Sequence, residues 1–170
     1  MKKLICLLPL LFLTGCSRPA WETVCDTIPS VAALAQDSCA YSISLGMPQE
    51  LQLAEQDGRT AIYSTAQGEM EVRTETFFAS SSETAISYLT AMEPDALTVL
   101  RTERFDLPEY QFVWLSATEQ GTRLNRADLV MDGMDCYAVV CSTLEQCGNT
   151  YDDAMRQVLS TFGLFVDEGI

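Results

Sequence analysis

From Tyr41 onward the chain is punctuated by Asp57-Gly58, Gln67-Gly68, Gly121 and Asp132-Gly133, and several of the segments between them, residues 41–45 and 69–77 most clearly, alternate apolar and polar side chains with period two. No other feature constrains the fold as much. Period two is the pleat of a half-buried strand, and Asp-Gly suits a two-residue hairpin whose central residues need positive φ. Strands joined by tight turns pair antiparallel. The strand candidates are residues 41–45, a short alternation from Leu51, then 59–65, 69–77, 97–105, 110–118, 122–131 and 136–143.

Two segments carry helical spacing instead. Ser80-Ser-Ser-Glu83 reads as a capping box ahead of Ala85, Ile86, Leu89 and Met92, and Pro94 stops the run. Thr150-Tyr-Asp-Asp153 opens the second, in which Tyr151, Ala154, Met155, Val158, Leu159 and Phe162 form one apolar face before Gly163. Strands, a helix, more strands and a helix predict an α+β domain: a curled, mostly antiparallel sheet covered by the two helices. It occupies residues 39–170. Residues 16–38, interrupted by Pro19 and Pro29, read as a tether and an irregular lead-in, with Val31–Ala35 as a short helical turn.

Residues 1–15 are of another kind. Two lysines, then Leu4-Ile-Cys-Leu-Leu-Pro-Leu-Leu-Phe-Leu13, then Thr14-Gly15-Cys16, make a secretory signal too short to span a bilayer. Leu13-Thr14-Gly15-Cys16 resembles the bacterial lipobox. The resemblance implies diacylglyceryl (palmitate-type) modification of Cys16, cleavage before it, and a lipoprotein anchored outside the cytoplasm, its membrane partner reached through Cys16; two acyl chains suffice for stable anchoring. The alternative is an ordinary secretory signal. Cleavage leaves 155 residues with 24 acids against eight arginines, a formal charge of −16. Such a surface repels phosphate backbones, which argues against nucleic acid as a partner.

Tyr41-Ser-Ile-Ser-Leu-Gly-Met-Pro48 resembles the opening of PsbP-like domains, and Val158-Leu-Ser-Thr-Phe-Gly-Leu164 is similar to their terminal helix and last short segment. The order of elements also resembles the group that includes DcrB-type bacterial lipoproteins. The resemblance implies a fold and an envelope address, and it brings no catalytic residues.

The chain has no His, so Ser-His-Asp and Cys-His nucleophile systems and His-ligated metals are excluded. Both lysines lie in the signal, which removes Schiff-base and P-loop chemistry from the remainder. Of seven cysteines, Cys6 leaves with the signal and Cys16 takes lipid. Separation along the chain favours disulfides Cys25–Cys39 and Cys141–Cys147, leaving Cys136 as a free thiol. Cys136 and Cys141 would lie on opposite faces of one strand. Cys147, near a helix start, is the candidate for a redox thiol, although no CxxC motif accompanies it.

Asp128, Asp132 and Asp135 read as solvated acids of one hairpin, with a hard-cation site as the lesser reading. Glu69, Glu71, Glu103, Asp106 and Glu109 read as solvated, and Arg101 and Arg104, on opposite faces of one strand, as their surface partners. Tyr110, Phe112 and Trp114 share a strand face, which is either a binding groove or core beneath a helix. No cofactor or metal is expected. The reading is a non-enzymatic binding or assembly module of the cell envelope with an envelope protein as partner. An extracytoplasmic enzyme using Cys147 or a carboxylate pair, or a small solute-binding protein, is the alternative.

Overall fold

The computed structural model describes residues 33–34 and 40–166. Its strands are β1 (Ala33–Leu34), β2 (Tyr41–Ser44), β3 (Gln52–Asp57), β4 (Thr60–Ser64), β5 (Met70–Phe78), β6 (Val99–Arg104), β7 (Leu107–Thr118), β8 (Gly121–Asp132), β9 (Asp135–Leu144) and β10 (Gly163–Val166). Helix α1 spans Ser82–Thr90 and α2 spans Asp152–Ser160. β3 to β9 form a seven-stranded sheet in the order β3-β4-β5-β9-β8-β7-β6. Every pairing in it is antiparallel. β1, β2 and β10 form a separate antiparallel sheet of three. The α+β class expected from the sequence is the one observed.

Burial explains the order. β9 reads Cys-Tyr-Ala-Val-Val-Cys-Ser-Thr-Leu after Asp135, and all of these residues are buried. A strand covered on both faces loses its alternation, and β9 accordingly lies inside the sheet between β5 and β8. β3, exposed along its whole length, lies at an edge. Its acidic residues and the register shift between Leu53 and Glu55 discourage pairing with another chain.

The sheet carries two cores. On one face Phe77, Phe112, Trp114, Ala127, Leu129, Met131, Cys136, Ala138 and Val140 pack beneath Ala85, Ile86 and Leu89 of α1. On the other, Met70, Val72, Val130, Tyr137, Val139 and Cys141 pack beneath Met155 and Val158 of α2, with Phe162 and with Ile43 of β2. Fully burying one such side chain contributes about 1.5–3 kcal/mol, so each helix is held mainly by its apolar stripe. Ser81 caps α1 by accepting from the Thr84 amide at 3.2 Å.

Four local expectations need correction. Leu34 and Ala33, placed in a helical turn, are extended and pair with Ile43 and Ser44. Gly163, expected to end the second helix, lies beyond it: α2 ends at Ser160 with Thr161 as its cap, and Gly163 begins β10, whose Leu164 pairs with Ile43. The first hairpin turns through Gly58 and Arg59, because Asp57 already pairs with Thr60. Its type I′ geometry is not adopted: neither residue has positive φ. The Asp57 carboxylate holds the turn instead, accepting from the Arg59 and Thr60 amides at 3.3 and 3.2 Å. Finally, β6 and β7 join through Phe105 and Asp106, both with positive φ (55° and 62°), a tight turn built from two non-glycine residues. Nothing in their residue types announces it.

Candidate functional site

Along one parity of four neighbouring strands, side chains change from apolar to polar at the same level of the sheet. On β7 the order is Phe112, Trp114, Ser116, Thr118; on β8, running back, it is Arg123, Asn125, Ala127, Leu129. On β9 Ala138 and Val140 give way to Ser142, and on β5 Phe77 is preceded by Glu75, Arg73 and Glu71. Cross-strand register puts Trp114 opposite Asn125, Asn125 opposite Ser142, and Ser142 opposite Glu71. Helix α1 covers the apolar end and stops at Thr90, so the polar end stays open beside its last turn.

The result is a groove of about 350 Å³, walled by Tyr88, Leu89 and Thr90 of α1 with Ala91 just after it, and floored by the sheet. Arg123 organises the floor. Its Nη2 donates to the Gly68 carbonyl, to Gln120 Oε1 at 2.9 Å and to Glu71 Oε1 at 3.3 Å, while Nη1 reaches Ser142 Oγ at 3.5 Å. Asn125 Nδ2 donates to Ser116 Oγ at 2.9 Å and to the Trp114 and Arg123 carbonyls, both at 3.3 Å. At the rim the Tyr88 hydroxyl donates to Glu75, which raises the phenol's pKa from its ordinary value, burial adding to the effect. Gly68 and Gln120, both held by Arg123, line a second depression of about 460 Å³ with Gln52, Ser64 and Gln67.

No protein-family profile matches this chain, and no curated protein sequence matches it. Among solved structures it is similar to the cyanobacterial PsbP protein of Synechocystis, with a TM-score of 0.53 and 12% identity over 89% of this chain and 99% of that one. The fold is PsbP-like. It is similar also to a protein of Bacteroides thetaiotaomicron, with a TM-score of 0.51 and 9% identity over 75% of this chain. This chain spans only 46% of that structure's length. Identities this low establish likeness of fold alone.

The residues singled out from sequence go to different places. Phe112 and Trp114 are core beneath α1, with Tyr110 half-buried beside them, so their stripe is no open binding face. Trp114 alone of the three also lines the groove. Arg101 lies over the Tyr110 ring at 5.9 Å. Glu103 and Asp106 are exposed, as expected. Glu69 accepts from the Tyr151 hydroxyl at 2.6 Å, and that bond, reinforced by burial, pushes the phenol up to about 12.

Arg104, Glu109 and Asp128 are not solvated. They form a buried knot on the α2 face, where Glu109 has 0% exposure. Arg104 Nε donates to Glu109 Oε1 at 2.7 Å, Nη2 to Asp128 Oδ2 at 3.1 Å, and Nη1 to the Phe162 carbonyl at 2.6 Å. Nη2 also reaches the Leu159 carbonyl at 3.4 Å, so one guanidinium closes the carbonyl end of α2. Asp128 therefore belongs to this knot and not to a turn with Asp132 and Asp135, and among the described residues no group of three acids or thiols is placed to hold a metal.

Cys16, Cys25 and Cys39 lie outside the described residues. The Cys141–Cys147 bond is not formed, and both residues hold free thiols. Cys141 points into the core beneath α2, where burial pushes its pKa well above the ordinary thiol value. Cys147 sits half-buried in a short 3-10 turn, Glu145–Cys147. Cys136 is on the opposite face, as parity requires, buried with its Sγ 3.7 Å from the Met134 carbonyl oxygen. Helix α2 begins only at Asp152, so Cys147 does not lie at its N-terminus.

Sequence alone missed the groove. Its signal was present, because same-parity positions turn polar together in four strands, but it is legible only once the cross-strand register is known.

Proposed function

We propose that this chain is an extracytoplasmic lipoprotein, anchored through diacylglyceryl Cys16, whose PsbP-like domain is a non-enzymatic binding module of the cell envelope. The observation that carries the binding role is the open polar end of the sheet beside α1. Arg123 and Asn125 are buried there, and their hydrogen-bond partners hold the floor in one geometry before any ligand arrives. A prearranged set of donors and hydroxyls suits recognition. A nucleophile paired with a base, the arrangement acyl-transfer chemistry needs, is not what these residues supply. The address rests on the lipobox-like Leu13-Thr14-Gly15-Cys16. Among the described residues no helix is long and apolar enough to cross a membrane, so an anchor would have to come from outside them.

The test is fractionation of a bacterium expressing the full chain and its Cys16→Ser variant. The parent is expected in the membrane fraction, extractable by detergent but not by salt, and the variant in the soluble fraction or retained as precursor. A parent released by salt alone would contradict the anchor, and hydrolytic or thiol–disulfide turnover by the purified parent would contradict the binding role.

A further inference from the structure

We propose that the groove beside the last turn of α1 binds a neutral polyhydroxylated ligand, a segment of oligosaccharide, laid along the sheet from the Tyr88 ring to the Arg123–Gln120 bridge. This rests on the reading of the chain as a binding module and names the ligand class of that site.

Charge balance points away from an anion. Each guanidinium in the groove already faces a carboxylate: Arg123 Nη1 lies 3.3 Å from Glu71 Oε2, and Arg73 Nε lies 3.7 Å from Glu75 Oε2. The groove is locally neutral within a chain of net charge −14, whose field repels anions from a distance. What remains is hydrogen-bonding capacity. Arg73 lines the groove with a side chain that is 36% exposed, and its guanidinium brings further donors there. Asn125 has committed its amide nitrogen to three acceptors, leaving Oδ1 to accept. Ser116, Thr118 and Ser142 add hydroxyls, which both donate and accept, as sugar hydroxyls do.

A sugar ring also needs an apolar surface for its C–H face. Tyr88 provides it at the rim: the side chain is 59% exposed, yet one side of the ring packs on Phe77 at 4.6 Å between centroids and the hydroxyl is tied to Glu75. An aromatic ring held in place costs little entropy when a ligand lands on it. The groove's volume, about 350 Å³, suits a short run of sugar rings. A peptide strand is disfavoured in the groove beside α1, because that groove lies over the face of the sheet, where backbone groups are already paired.

The experiment is calorimetric titration of the detergent-solubilised full chain with tetrasaccharides of glucose, mannose and N-acetylglucosamine, with tetragalacturonate and inorganic phosphate as anionic probes. At least one neutral probe is expected to bind one-to-one. Tyr88→Ala should weaken that binding at least about tenfold with the circular dichroism spectrum retained. Val113→Thr, on the opposite face, should leave it unchanged. Tighter binding of galacturonate or phosphate, neutral binding indifferent to Tyr88→Ala, or no neutral binding would each overturn the proposal. Binding followed by cleavage of a probe would keep the ligand class and overturn the non-enzymatic reading. A chain that binds no saccharide but fractionates through Cys16 would keep the lipoprotein reading and overturn this inference.

Discussion

Replacing Asp128 by Asn isolates the buried knot through its pH dependence. One cation, Arg104, faces two carboxylates where water is excluded, so ionising both leaves a net buried negative charge. Glu109 is the better stabilised, with Arg104 Nε at 2.7 Å and the Thr102 hydroxyl donating at 2.6 Å. Asp128 has the longer contact, 3.1 Å to Nη2. Burial is the largest cause, and it pushes Asp128 from 3.8 up to about 7 against the opposing pull of Arg104, with Glu109 adding to the rise. The folded state therefore holds a proton that the unfolded chain releases above about pH 4, so unfolding releases a proton and stability falls as pH rises. The group's contribution is at its best below about pH 4 and is lost by about pH 7 to 8. Three pKa units at 1.36 kcal/mol each set its size at about 4 kcal/mol. Asn keeps an oxygen for Arg104 and cannot ionise.

Urea unfolding of parent and Asp128→Asn across that range, taken as a difference at each pH, cancels the other acids. The two should be nearly equally stable at about pH 4, and the variant should lead by up to about 4 kcal/mol at about pH 8. A difference that stays flat with pH, or a parent that gains on the variant as pH rises, would refute the protonated Asp128.

Three further outcomes follow from the same structure. Arg104→Met leaves Glu109 buried without its cation and the α2 carbonyls without a donor, and should cost about 3–5 kcal/mol in urea unfolding at neutral pH. Phe105→Asn with Asp106→Gly supplies residues that tolerate the positive φ of the β6–β7 turn, and should raise stability by about 1–2 kcal/mol. Timed alkylation of the native protein followed by mass spectrometry should label half-buried Cys147 before buried Cys141, which should react only at the rate of unfolding.

Elements were legible in the sequence where one face is buried and the other wet. The α2 stripe of Ala154, Met155, Val158 and Leu159 and the strand around Tyr110–Thr118 are legible because periodicity is the physical consequence of that arrangement. Reading failed where a long-range partner decides. Ala33–Leu34 and Gly163–Val166 are strands only because β2 lies between them, and neither shows a period of its own. Arg104, Glu109 and Asp128 looked like ordinary surface charges because their burial depends on β6, β7, β8 and the end of α2 meeting in space. The groove escapes sequence reading for the same reason: parity alone cannot bring Ser116, Arg123, Asn125 and Ser142 together, and only the register places them side by side.

The proposed anchoring of a binding domain to the membrane through Cys16 is tested most directly by the mass of the N-terminal peptide of the membrane-extracted protein. A peptide beginning at Cys16 and carrying a diacylglyceryl group is the predicted result. A peptide that retains Met1, or one that begins at an unmodified residue, would contradict it.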